Sequence, residues 1–222
     1  MNTTQAAPAA PADQTAAPLG RRERNKIRMK ERLYDAALAL FTEQGYDETS
    51  IDEIAERADV ARGTFFNYFQ RKEDLLGTWG EKRRAALTTA LVDDGPDMDT
   101  AAGRLRRCMT TLGRMSEEHQ KETGAMLMAW VRAGHPLVEE PYLADLFAQI
   151  AATGLERGEL RAGIAAEQIG NALRDLYLGT LYRWCGRPTD PTGALTDELL
   201  TTLDLMLYGV LTTPAPEETA AR

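Results

Sequence analysis

With 222 residues, 43% of them apolar, the chain can bury a sizeable core as one large domain or two small ones. It holds no run of about 18 uninterrupted apolar residues, which argues against a membrane-spanning helix. Two cysteines and two histidines are too few for a disulfide framework or a metal shell, so no metal and no cofactor is expected. The net charge of -8 disfavours a nucleic-acid partner on average, yet its distribution reverses that reading.

The first 20 residues are rich in Ala and Pro and lack the basic-then-apolar order of a secretory signal. They read as a disordered leader, and the cysteine usage fits a reducing cytoplasm. Residues 21–34 then carry seven basic side chains against two acidic ones, whereas residues 35–75 carry four basic and ten acidic. Positive charge is therefore local, and this arm reads as a DNA-contacting extension or, alternatively, a solvated charge run.

Leu33, Ala37, Leu38 and Phe41 mark the inner stripe of a first helix over about 26–44, which Gly45 stops. Ser50-Ile51-Asp52-Glu53 has the form of a capping box, so a second helix starts at Ile51. It breaks at Asp59, and a third starts near Arg62. Further helices are expected over about 72–91, 99–117, 120–133, 138–157, 166–185 and 194–211, separated by Gly- and Pro-containing turns. The fold class is thus all-α with about nine helices.

Between Ile51 and Phe69 the apolar spacing is that of a helix-turn-helix. Ala55 is small where two helices cross, Ile54, Val60 and Phe65 fill their shared core, and Asp59 stands where the turn needs a left-handed residue. A helix in the major groove reads base edges with its exposed N-terminal side chains, here Arg62, Gly63, Thr64 and Asn67, with Arg62 matched to guanine. Ser50, Thr64, Tyr68 and Lys72 are placed for phosphates, and Arg24, Lys26 and Arg28 are the expected contacts of the basic arm. Phe65 and Phe69 read as core; the place of Phe66 is open.

The segments Thr49–Ala55, Gly63–Phe69 and Lys72–Leu75 closely resemble the N-terminal domain of the TetR family of transcriptional regulators. Phe66 stands where many members have Tyr, and Asp59 where Gly is more usual. The resemblance implies a three-helix DNA-binding domain over 21–75, a helical bundle over 76–212 for ligand binding and dimerisation, and a short tail, 213–222. It also implies a double-stranded DNA operator, a small-molecule effector and a homodimer, with repression as the default mode.

In the bundle, adaptable methionine and aromatic rings suit an apolar or aromatic ligand, and Met126, Trp130, Phe147, Leu173 and Tyr177 are the candidate lining. Each of them could equally be solid core. Leu178, Tyr182, Leu199, Leu203, Met206 and Val210 lie on the last two helices, which could pair with a second copy as a four-helix bundle or close an intrachain core. An enzyme is not expected, since no phosphate loop, nucleophile elbow or zinc-protease motif occurs, and Cys108 and His119 are eleven residues apart with nothing to pair them. A ligand-independent DNA binder or an activator is the alternative reading of the regulator.

Overall fold

The computed structural model describes residues 20–92, 95–134, 143–187 and 194–209. The expected leader, apart from Gly20, the tail and Val210 lie outside the described residues. Nine α-helices are described: α1 (Arg21–Gln44), α2 (Ile51–Arg57), α3 (Arg62–Phe66), α4 (Asp74–Ala90), α5 (Ala101–Glu118), α6 (Gln120–Arg132), α7 (Leu143–Glu156), α8 (Ala166–Cys185) and α9 (Leu195–Tyr208). A single 3-10 turn, Pro96–Asp99, precedes α5, and no strand occurs among the described residues.

Local chemistry sets the boundaries. The Ser50 hydroxyl accepts the Glu53 N–H at 3.2 Å while the Glu53 carboxylate accepts the Ser50 N–H at 2.8 Å, completing the capping box of α2. Gly45 ends α1 at φ +91, and its N–H donates to the Phe41 carbonyl. Asp59, at φ +51, is the one described non-glycine residue with positive φ, as the helix-turn-helix geometry requires. The basic arm differs from expectation: it is the first three turns of α1, begun by the Arg24 N–H bonding to the Gly20 carbonyl. Its Arg, Lys, Glu and Met residues are good helix formers, and no breaker intervenes between Gly20 and Gly45.

One contiguous apolar core runs from Leu33 and Phe65 through Trp79 to Tyr177 and Leu203, so the helix-turn-helix and the bundle are packed as a single body. α4 leaves the helix-turn-helix and enters the bundle, while α1 lies against α6. α7 and α8 approach so closely that a Cβ on Gly170 would sit 2.8 Å from the Ala148 backbone nitrogen. Gly113 does the same between α5 and α9: a Cβ there would lie 2.8 Å from the Thr196 Cα.

That close seat of α9 corrects one expectation. Leu199 and Leu203 are fully buried within the protomer, where α9 packs on α5 and α8, and are therefore not available to a second copy. The apolar side chains left outside on these helices are Tyr182, Leu205, Met206 and Tyr208, with Leu178 half-buried.

Candidate nucleic-acid interface and effector cavity

The helix-turn-helix is assembled around small and apolar contacts. Ile54 and Phe65 are fully buried, Ala55 is 2% exposed, and its carbonyl accepts the Val60 N–H at 3.0 Å across the turn. Arg32 of α1 donates to the Ala58 carbonyl, tying the first helix to the turn. On the outer face of α3, Arg62, Gly63 and Asn67 are exposed, and Thr64 and Tyr68 are half-buried. The Arg62 guanidinium pairs with Asp52 at 3.1 Å and lies 5.8 Å from the centroid of the Phe66 ring, itself 44% exposed. Phe66 thus belongs to the surface and braces Arg62. Both members of the Arg62–Asp52 pair are solvent-exposed, so water and salt weaken it and the arginine can leave it cheaply.

Two expected phosphate contacts are occupied inside the protein. Lys72 lies just before α4, not within it, and its ammonium donates to the carbonyls of Tyr46 at 2.6 Å and Thr49 at 2.8 Å, with its nitrogen 4.1 Å from the Tyr46 ring centroid. It pins the α1–α2 connection. Ser50 donates both its N–H and its hydroxyl to the Glu53 carboxylate, which hold that carboxyl below its ordinary pKa, while its hydroxyl oxygen accepts the Glu53 amide. Tyr46 donates its hydroxyl to Glu73, and burial together with that carboxylate raises its pKa above the ordinary tyrosine range. Along the first turns of α1, Arg21, Arg22, Arg24, Lys26 and Arg28 are exposed, and the half-buried Lys30 pairs with Glu81 at 2.9 Å.

A cavity of about 570 Å³ opens where α1, α4, α5 and α6 meet. Tyr34, Leu38, Ala39 and Thr42 of α1 form one wall, facing Trp79 and Arg83 of α4, Met115 of α5 and Thr123 of α6. Burial raises the Tyr34 pKa to about 12, so its hydroxyl stays protonated at neutral pH. The expected ligand residues are elsewhere. Met126, Phe147 and Leu173 are packed in the core with at most 1% exposure. Trp130 borders a shallower cleft of about 300 Å³ with Leu178 and Tyr182, and Tyr177 borders a crevice of about 10 Å³ beside Arg83. Methionine and aromatic rings at helical spacing fill a close-packed interior as readily as they line a pocket.

Arg83 is the residue that reading for apolar linings overlooks. It is 6% exposed; its Nε donates to the Tyr177 hydroxyl at 3.1 Å, Nη2 to the Thr123 hydroxyl at 3.5 Å, and the guanidinium stacks 3.7 Å over Trp79. Leu75, Trp79, Arg83 and Leu87 recur every four residues along α4, so an arginine within an otherwise apolar stripe was the available signal. Cys108 is fully buried and its thiol is pushed up to about 12 by burial, while His119 is exposed at the far end of α5. Eleven residues of helical rise separate the two by roughly 16 Å, too far for a nucleophile and its base.

Comparison with known proteins bears on both regions. A model described as bacterial regulatory proteins of the tetR family matches residues 33–77, and one for the C-terminal domain of TetR/AcrR family transcriptional repressors matches residues 131–209. The transcriptional repressor KstR of Mycolicibacterium smegmatis is 30% identical over 168 residues, spanning 73% of this chain and 79% of KstR. The chain belongs to the TetR family. It is accordingly a DNA-binding transcriptional repressor, as the relative named above is. Among solved TetR-family structures, Thermus thermophilus FadR in complex with lauroyl-CoA superposes with a TM-score of 0.62 at 30% identity, over 84% of this chain and 97% of FadR. The FadR of Bacillus subtilis, in complex with stearoyl-CoA, shares the fold with a TM-score of 0.64 at 21% identity, over 82% of this chain and 99% of that one. The basic turns of α1 up to Arg32 precede the TetR-matched segment.

Proposed function

We propose that this repressor holds a palindromic operator as a homodimer and is released when a small apolar or aromatic molecule occupies the cavity beside α1. The observation that carries this reading is the cavity wall. Six of its residues, Tyr34, Asp35, Leu38, Ala39, Thr42 and Glu43, belong to the first helix of the DNA-reading unit, so an occupant acts on that unit directly. The acyl-CoA complexes of the two FadR neighbours support a ligand-responsive bundle.

In this reading residues 21–75 bind DNA and residues 76–212 bind the effector and the partner. Arg62 reads guanine, with Gly63, Thr64 and Asn67 at neighbouring base edges and Tyr68 at a phosphate. Arg24, Lys26 and Arg28 extend the contact along the backbone and offset the acidic character of residues 35–75. Ser50 and Lys72 shape the unit, with the remaining Lys72 N–H directed to phosphate. The partner packs on Leu178, Tyr182 and Met206, joined by Leu205 and Tyr208. No helix among the described residues is long and apolar enough to cross a membrane.

Selecting bound sequences from random duplex DNA with the purified full chain tests this. The expected result is a palindrome with half-site centres about 34 to 36 Å apart or a multiple of that. Weak binding without sequence preference would contradict it.

A further inference from the structure

We infer that the cavity between α1, α4, α5 and α6 takes a monocarboxylate with an apolar body, whose carboxylate pairs with Arg83. The inference deepens the effector reading above and rests on it. Arg83 is a cationic guanidinium, and it is 94% removed from water. Among the described residues it makes no ion pair; its partners are two neutral hydroxyls, one of them at a long 3.5 Å, and the face of Trp79. A buried cation held only by neutral groups is costly, and an arriving carboxylate relieves that cost through charge-assisted bonds to the planar guanidinium.

The remainder of the lining selects what carries the carboxylate. Leu38, Ala39 and Met115 offer an apolar bed, and about 570 Å³ accommodates a small ligand. The charged residues nearer the mouth argue against a polyanion. Lys82 faces Asp35 at 3.8 Å, Arg57 holds Glu43 at 2.6 Å, and Glu122 adds a further negative charge. No surplus positive charge is left there for several phosphates, so a free acid fits where its coenzyme A thioester does not. In this respect the chain departs from the acyl-CoA ligands of its two structural neighbours.

Calorimetric titration of the full chain with dodecanoate, naphthalene-2-carboxylate, dodecanol and lauroyl-CoA tests the inference, alongside operator affinity under each ligand. At least one of the two acids is expected to bind saturably. Dodecanol and lauroyl-CoA are expected to bind more weakly than the better acid by at least about tenfold, and Arg83→Gln to weaken that acid by a similar factor. If Arg83→Gln fails to fold, the contrast between dodecanoate and dodecanol on the unaltered chain still decides. No saturable acid binding, or equal affinity for dodecanol or lauroyl-CoA, would overturn the carboxylate site. Operator release by all four ligands alike would overturn it while leaving the effector reading standing. Acid binding that depends on Arg83 without operator release would support the site and remove the effector reading.

Discussion

Lys72 and Arg83 are both cations seated between helices over an aromatic ring, and their seats differ in what they leave unsatisfied. Lys72 gives two of its three N–H groups to main-chain carbonyls at 2.6 and 2.8 Å and lies 4.1 Å from the Tyr46 ring centroid. Arg83, more deeply buried, has only the Tyr177 and Thr123 hydroxyls and the Trp79 ring. The first seat closes a structure. The second holds a charge that none of the described residues meets with an ion pair. The DNA-reading unit therefore commits its half-buried Lys72 to its own geometry, while the bundle keeps Arg83 available to a ligand.

The sharpest break of this comparison is on stability. Lys72→Met removes two charge-assisted bonds and is expected to cost about 2 to 4 kcal/mol in denaturant unfolding. A loss under about 0.5 kcal/mol would show that Lys72 is not the pin described here. Arg62→Ala is expected to weaken binding to the selected operator by about 1 to 3 kcal/mol and to relax its preference at one base pair, with unfolding unchanged because the side chain is exposed. Asp59→Val forces a β-branched residue to adopt φ +51 and is expected to cost about 1 to 2 kcal/mol of stability. The smallest effect completes the contrast: Arg83→Met keeps the stem packed and removes a costly buried charge, so ligand-free stability is expected to stay within about 1 kcal/mol. Should Arg83→Met destabilise as much as Lys72→Met, the two seats would be equivalent.

The same two residues show how far the sequence could be read. The helix-turn-helix was legible because its determinants are local: Ser50 meets Glu53 three residues on, and Asp59 supplies the positive φ of the turn. Helix boundaries followed from the spacing of apolar residues and from Gly45, although α1 starts at Arg21, some five residues earlier than the apolar stripe indicates. What Lys72 does was not legible, since its carbonyl partners are 26 and 23 residues away and main-chain acceptors leave no mark in a sequence. Arg83 reaches Tyr177, 94 residues away, for the same reason. Leu199 and Leu203 carry the pattern of an inner stripe but not the identity of the helix they face. The tight approach at Gly113 and Thr196 turned them toward the protomer's own core. Met126, Phe147 and Leu173 have the composition of a pocket lining; whether such side chains line space or fill it depends on packing across several helices.

The coupling between cavity and operator is the claim on which the rest depends. Operator affinity, followed by fluorescence anisotropy of labelled DNA while dodecanoate or naphthalene-2-carboxylate is titrated, tests it directly when cavity occupancy is read in parallel from calorimetry. The expected result is loss of operator binding that tracks occupancy and disappears in Arg83→Gln. A fully occupied cavity with unchanged operator affinity would contradict it.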